Sequence, residues 1–296
     1  SHDFTFYFVP NSFYQLASYD QGFDRLIPLG WSIFRWVNRY FVIPVFGFLS
    51  SFISNYGIVI LIITILVKLI IFPLTYKSYL STAKMRVLKP DIDEINKKYP
   101  NRDDAMKKQQ ATMTLYKKAG VNPMGGCLPM LLQMPILIAM FSFFPSAFEL
   151  RQEGFLWAKD LSSYDAVINL PFTIPFYGDH VSLFCLLMAI TNVIYIKFND
   201  QTSMSSASMP GMKIMMYMMP VMMLFIFNDY ASGLSYYYFL SLLITIIQTM
   251  VFNKMVDSDK LRAEMESNKS KPIKKSKFQK RLEEAAKAQR AQQRRK

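Results

Sequence analysis

Long apolar runs that contain almost no charge are the feature that most constrains this fold. The run GIVILIITILVKLIIF, from Gly57 to Phe72, includes one charged side chain. Comparable runs follow at 128–148, 181–196, 212–227 and 234–252. A helix needs roughly 17–25 mostly apolar residues to cross a bilayer core about 30 Å thick, and a soluble chain of 296 residues would not need five such runs. The sequence therefore predicts an all-α polytopic membrane protein with five transmembrane helices.

Basic residues are concentrated in some of the connections between these runs. Residues 74–127 contain eleven Lys and Arg against five Asp and Glu, and residues 253–296 contain fifteen against six. Residues 149–180 instead contain two basic side chains against five acidic ones. Because basic loops stay on the cytoplasmic side of a membrane, this alternation predicts that the N-terminus lies outside and the C-terminus inside.

The composition also argues against several classes of protein. Two Cys and two His cannot form a disulfide framework or a His/Cys metal centre. The sequence has no HExxH motif, no phosphate-binding GxxxxGK[ST] loop and no pair of Asp within an apolar run. We therefore expect no catalytic site, no metal and no cofactor. A secondary transporter usually has internal repeats, and five spans cannot divide into equal halves.

The segments outside the runs have distinct patterns. Residues 1–27 include a strand-like alternation at 3–9, so we expect a remnant of a periplasmic β-domain. The chain begins without Met or a cleavable signal sequence, so we also expect a fragment or processed chain. Residues 28–52 mix aromatic and charged side chains, which predicts an interfacial helix on the outer leaflet; a first transmembrane helix is the alternative.

The region 76–127 predicts a cytoplasmic helical hairpin, because two Lys-rich amphipathic arms flank a turn at 100–103. Residues 257–296 are too polar to fold alone. Beyond residue 52 the sequence predicts five transmembrane helices, at 53–75, 128–148, 181–197, 212–227 and 234–252. The hairpin at 76–127 connects the first two, a periplasmic loop at 149–180 connects the second and third, and a cytoplasmic loop at 198–211 connects the third and fourth. The basic cytoplasmic tail at 253–296 follows the last.

Lys68 is the charged residue inside the first apolar run. Its insertion near the bilayer centre costs roughly 2.5–3.5 kcal/mol, which the apolar neighbours offset. The apolar runs contain no Asp or Glu, so we expect the counter-ion to be a transient one, supplied by a substrate or lipid. The alternative is a lysine that extends to the cytoplasmic headgroups, although helical side chains tilt toward the N-terminus, here away from the cytoplasm.

Polar residues also occur in the other runs, and lipid-exposed polar groups are costly, so their faces should converge on a partly hydrated interior cavity. The Met-rich stretch at 209–223 is compatible with substrate contact and with adaptable packing. The candidate residues of the cavity are Thr64, Lys68, Gln133, Asn192, Tyr238, Thr245 and Gln248.

Four strings closely resemble the YidC/Oxa/Alb family of membrane protein insertases. They are LVKLIIFPLT (66–75), AKMRVLKPDI (83–92), VNPMGGCLPMLLQMPI (121–136) and SGLSYYYFLSLLITIIQ (232–248). The resemblance extends from about residue 28 to residue 252 and is that of a Gram-negative member trimmed of its first helix and most of its periplasmic domain. It implies five helices around a hydrophilic groove that is open to the cytoplasm and to lipid, in the bacterial inner membrane.

The resemblance further implies that the chain is not an enzyme but inserts nascent membrane proteins and assists their folding, alone or beside the Sec translocon. Lys68 matches the positive groove residue, which is commonly Arg, and Thr64 and Tyr238 match other groove positions. The basic tail resembles tails that help bind ribosomes, without sequence-specific nucleic-acid binding. This chain departs from several relatives in having Asn228 and Asp229 where those have bulky apolar residues.

The residues and the resemblance suggest one mechanism. Lys68 in a hydrated notch would attract acidic residues of a substrate tail, and the substrate's apolar helix would then partition into lipid. Three alternatives remain at this point: a small-anion transporter or channel that uses Lys68, a structural subunit of a larger complex, and an RNA-binding anchor that would explain the basic tail alone.

Overall fold

The structure, a computed structural model, describes residues 7–100, 104–122, 125, 128–200 and 210–269. The chain divides into two compact units, residues 1–86 with 124–256 and residues 87–123 with 257–296. Several predicted features lie wholly or partly outside the described residues, among them the strand-like segment at 3–9, the turn at 100–103, the loop at 198–211 and the tail at 253–296.

Short helices precede the long helices of the first unit. They are α1 (Phe13–Ala17), α2 (Ile33–Val37) and α3 (Ile43–Ser50), and a π-helical turn at Asn38–Val42 joins α2 to α3. Exposed aromatic side chains cover this region, among them Trp31, Trp36, Tyr40, Phe48 and Phe52. Aromatic side chains with a polar edge are enriched where a membrane meets water, and the interfacial location of 28–52 stays a prediction.

Helix α4 (Tyr56–Val87) is 32 residues long and includes Pro73. It begins after Asn55, whose side-chain oxygen accepts the backbone N–H of Ile58 at 3.2 Å and thereby satisfies one free donor of the first turn. At 1.5 Å per residue the helix is about 48 Å long, which exceeds a bilayer core of about 30 Å. The predicted boundary between the first span and the hairpin, at residues 75 and 76, therefore lies inside one continuous helix.

Four further helices complete the first unit. They are α7 (Leu128–Ser146), α8 (Leu183–Asp200), α9 (Pro210–Phe227) and α10 (Ser232–Met255); two helices between α4 and α7 belong to the second unit. Helix α8 packs against both α9 and α10, and α7 packs against α10 and α2. Gly233 allows this close packing, because a Cβ atom there would lie 3.0 Å from the Leu161 carbonyl and 2.9 Å from the Phe144 ring.

By length and composition, α4 and α10 are candidate membrane spans among the described residues. Three shorter apolar helices occupy 133–146, 183–198 and 214–227. The mostly helical architecture agrees with the predicted all-α class. The count of five spans and the orientation with the N-terminus outside stay predictions.

The second unit consists of α5 (Lys89–Lys98), α6 (Ala105–Ala119) and α11 (Ser258–Lys269). Helix α6 packs against α5 and also against α11. Leu261 and Met265 of α11 are buried, as are Ile92 of α5 and Tyr116 of α6. The first turns of the polar tail thus fold by covering the apolar side of the hairpin.

A β-hairpin lies within the predicted loop at 149–180. Its strands, β1 (Ile168–Ile174) and β2 (Gly178–Val181), pair antiparallel. The buried carboxylate of Asp165 accepts the backbone N–H groups of Leu183 and Phe184 at 2.9 and 3.1 Å. Because an acidic group at a helix N-terminus satisfies free donors and the helix dipole, Asp165 fixes the start of α8 next to this hairpin.

Asn228 connects the β-hairpin to the end of α9. Its side-chain Nδ2 donates to the carbonyl oxygens of Tyr177 and His180 at 2.8 and 2.9 Å, and its Oδ1 accepts the Ser182 N–H at 3.0 Å. An apolar side chain would leave these buried backbone groups unpaired. Asn228 therefore belongs to a hydrogen-bond network that requires an amide.

Asn228→Ala should lower the free energy of unfolding by about 1–3 kcal/mol, because buried backbone groups lose their partners. Thermal unfolding of the purified protein measures the change. Asp229→Asn is the matched control, since the neighbouring Asp229 side chain is mostly exposed. Equal unfolding temperatures for the two variants would contradict the role assigned to Asn228.

Candidate functional site

Lys68 of α4 contacts two other helices through its ammonium group. Its Nζ donates to Thr245 Oγ1 of α10 at 2.9 Å and to Gln133 Oε1 of α7 at 3.2 Å. Both contacts are partly buried. The lysine that interrupts the first apolar run therefore joins three helices through hydrogen bonds.

Two further hydrogen bonds orient the groups that accept from Lys68. Thr245 Oγ1 donates its own proton to the Ser241 carbonyl at 2.8 Å, so a lone pair of its oxygen is left for the lysine. Gln133 Nε2 donates to the hydroxyl of Tyr237 at 3.3 Å, so the amide oxygen is directed to Lys68. Both acceptors therefore have one defined orientation.

No carboxylate oxygen lies within 4.0 Å of the Lys68 ammonium in the part of the chain that the structure describes. An ammonium group has three donors, and Gln133 and Thr245 accept two of them. Dipoles stabilise a buried cation less than an opposite charge does. The site is therefore a cation held by neutral groups, with one donor for which the described residues provide no acceptor.

The other predicted residues have different surroundings. Thr64 is buried one turn before Lys68, and its hydroxyl donates to the Ile60 carbonyl of its own helix at 2.7 Å. Asn192 of α8 is buried, and its Nδ2 lies 3.4 Å from the sulfur of Met223 in α9. Neither residue is hydrogen-bonded to Lys68 within the described ranges.

Tyr238 and Gln248 of α10 are both partly buried. Over the residues that the structure covers, no hydrogen bond joins either of them to Lys68. Of the seven residues predicted for the cavity, the hydrogen bonds thus bring together Lys68, Gln133 and Thr245. The roles of the remaining four in a groove stay predictions.

Tyr237 is a residue of this site that the sequence analysis missed. Its side chain is completely buried, and its hydroxyl is the acceptor for Gln133. The available signal was the spacing of Tyr237, Ser241 and Thr245, which recur every four residues and so share one face of a helix. The adjacent Tyr238 starts a stripe with similar spacing, and sequence alone does not distinguish the two.

The family model described as 60Kd inner membrane protein matches residues 48–260. This chain belongs to that family. The membership predicted from the four strings is thus confirmed, and Lys68, Gln133 and Thr245 all lie inside the matched range.

Relatives of this 60Kd inner membrane protein family include the protein named membrane protein insertase YidC of Parabacteroides distasonis, which is 61% identical over 96% of this chain and 47% of its own length. The protein of the same name from Bacteroides fragilis is 53% identical over 97% of this chain and 48% of its own length. The chain therefore spans about half the length of these relatives.

A solved structure described as an active YidC insertase, with its first transmembrane domain resolved, has a similar fold. The TM-score is 0.50 and the identity is 28%, over 79% of this chain and 51% of that chain. This similarity supports the mostly helical fold of the chain.

Tyr237→Phe should lower the free energy of unfolding by about 1 kcal/mol, because the Gln133 amide loses a buried acceptor. Tyr238→Phe is the matched control, since the described residues provide no partner for its hydroxyl. Thermal unfolding of both variants measures the difference. An equal or larger loss in Tyr238→Phe would show that the Gln133 contact with Tyr237 contributes nothing.

Proposed function

We propose that this chain is the membrane-embedded part of a membrane protein insertase of the bacterial inner membrane. The observation that carries the proposal is the Lys68 ammonium, held between three helices by neutral acceptors and with a donor left for a ligand. The names of relatives that are 61% and 53% identical support the same activity. No comparison favours the small-anion transporter or channel.

The proposed topology has five spans, with the N-terminus in the periplasm and the C-terminus in the cytoplasm. The basic residues in 74–127 and 253–296 support this orientation. In the proposed arrangement, Lys68 lines a hydrophilic groove that opens to the cytoplasm and to lipid. Thr64, Asn192, Tyr238 and Gln248 are proposed as further groove residues.

Insertion then follows from charge and from the hydrophobic effect. An acidic residue of a substrate tail accepts the remaining Lys68 donor, and this attraction is stronger at the low dielectric of the groove than in water. The apolar helix of the substrate moves into lipid, and burial of its apolar surface supplies the driving force. Gln133 and Thr245 still bind Lys68 after the tail leaves, which limits the affinity for the tail and permits release.

This mechanism requires neither a covalent step nor a nucleotide, so the proposed activity is not enzymatic and needs no cofactor. The proposed partners are nascent membrane proteins, the lipid bilayer, the ribosome through the basic tail, and the Sec translocon. None of them requires sequence-specific recognition of nucleic acid.

Substitutions of Lys68 should depend on the charge of the substrate tail. Lys68→Arg should retain insertion because the charge persists. Lys68→Ala should reduce insertion of a tail with two acidic residues by about tenfold, as expected from the loss of one charge-assisted hydrogen bond, and should affect a neutral tail less. Lys68→Glu should be the most impaired. The measurement is insertion of a single-spanning substrate into liposomes for tails with no, one and two acidic residues.

Gln133→Glu is an informative companion variant, because it places a carboxylate next to an unchanged Lys68. We expect it to reduce insertion of acidic tails, since the lysine then has a resident counter-ion.

An equal fractional loss for every tail in Lys68→Ala, or no loss, would refute the electrostatic role of Lys68. Anion flux through the same liposomes would instead indicate the transporter.

Truncation after Lys269 should weaken binding to ribosomes, because residues 270–296 include eleven Lys and Arg. This truncation leaves α11, which packs against α6, in place. Co-sedimentation with ribosomes at low and high salt measures the effect, since salt screens charge interactions between exposed groups. Unchanged binding of the truncated protein at low salt would mean that residues 270–296 contribute only to the orientation of the chain in the membrane.

A further inference from the structure

A cavity of about 360 Å³ lies in the first unit, away from Lys68. It is lined by the segment around α1, by Ile27 and Leu29 of the loop before α2, by α3, and by the end of α7 with Glu149. Its volume is in the range of pockets that bind small molecules. Apolar side chains form most of its wall, namely Phe13, Ile27, Leu29, Ile43, Phe46 and Phe143.

Glu149 is the acidic residue in the lining of this cavity. One of its carboxylate oxygens accepts the hydroxyl of Ser12 at 3.0 Å. Within the described residues, no Lys or Arg nitrogen lies within 4.0 Å of this carboxylate. A carboxylate beside an apolar cavity, with one hydroxyl as its donor, favours a ligand with positive charge.

Tyr14 also lines the cavity. Burial raises the pKa of its hydroxyl above the usual value, and the charge of Glu149 adds to the rise. Its ring packs over Gly47 of α3, where a Cβ atom would lie 3.1 Å from the ring. The cavity thus combines an anion with an aromatic and aliphatic wall.

The surroundings indicate where such a ligand would come from. Trp36, Tyr40, Phe48 and Phe52, on the segment that forms one wall, are exposed aromatic side chains, a pattern typical of the surface of a membrane. Arg39 is on the same segment, with its guanidinium 5.7 Å from the centre of the Phe13 ring. It is bonded to Asp24 at 2.8 Å, but 42% of its side chain is exposed and accessible to a phosphate.

We propose that this cavity binds a phospholipid with a primary ammonium headgroup, such as phosphatidylethanolamine. The ammonium group donates to Glu149, the phosphate lies toward Arg39, and the first part of an acyl chain contacts the aromatic wall. The proposal depends on the membrane location of the chain but not on insertase activity. It adds a lipid site at a distance from the proposed groove.

The test uses the purified protein in nanodiscs that contain equal amounts of phosphatidylethanolamine and phosphatidylglycerol. Native mass spectrometry then counts which lipid stays bound after release from the disc. The wild type should retain phosphatidylethanolamine over phosphatidylglycerol by about tenfold, as expected for one charge-assisted hydrogen bond. Glu149→Gln, which keeps the size of the side chain, should abolish this preference.

Two further variants complete the design. Glu153→Gln removes an exposed acidic residue four positions away that does not line the cavity, and it should behave as the wild type. Ser50→Phe fills the cavity from α3 and should reduce retention of phosphatidylethanolamine. No preference in the wild type, or a preference that persists in Glu149→Gln, would overturn the proposal. Insertion assays on Glu149→Gln do not test the lipid site, because the lipid proposal does not depend on insertase activity.

Discussion

A single ammonium group inside an apolar helix bundle is the constraint on which the described site depends. An ammonium group in an apolar environment needs acceptors, because each unpaired buried polar group costs free energy comparable to a lost hydrogen bond. Helices α7 and α10 meet this requirement with Gln133 and Thr245. Tyr237 and Ser241 in turn orient those two side chains. The charge on α4 is thus bound by side chains from two other helices.

The neutral character of these acceptors has a consequence for the proposed function. A carboxylate in place of Gln133 would pair strongly with the lysine, and an acidic ligand would then have to compete with it. Amide and hydroxyl acceptors stabilise the cation less. The stability of the helix bundle and the affinity of Lys68 for an acidic ligand therefore both depend on acceptors that are polar but not ionised.

A second polar network, at the start of α8 and the end of α9, differs from the Lys68 site because its side chains are paired within the protein. Asp165 accepts backbone N–H groups at the start of α8, and Asn228 satisfies three backbone groups of the adjoining hairpin. These side chains have their partners within the protein, so they specify the fold and leave no donor for a ligand. Polar groups whose hydrogen bonds are all made within the protein are structural, whereas Lys68 keeps one donor for which the described residues provide no acceptor and is a candidate functional residue.

The sequence by itself determined the helical class, the family and the identity of the central charge. Apolar runs and charge asymmetry depend only on the order of residues, and the strings around Lys68 and Gln133 are characteristic of one family. Their polar character within apolar runs placed Gln133 and Thr245 among the candidates, but it could not separate them from Tyr238 or Gln248, which are also polar residues within apolar runs.

Only the tertiary structure decided which of these side chains meet. Contact between helices depends on their rotation and register, and a shift of one residue along α10 moves a side chain about 100° around the helix axis. For this reason Tyr237 binds Gln133 while its neighbour Tyr238 does not. The same holds for the hydrogen bonds of Asn228, for the packing of α11 on α6 and for the cavity beside Glu149, because each joins residues that are distant in the chain.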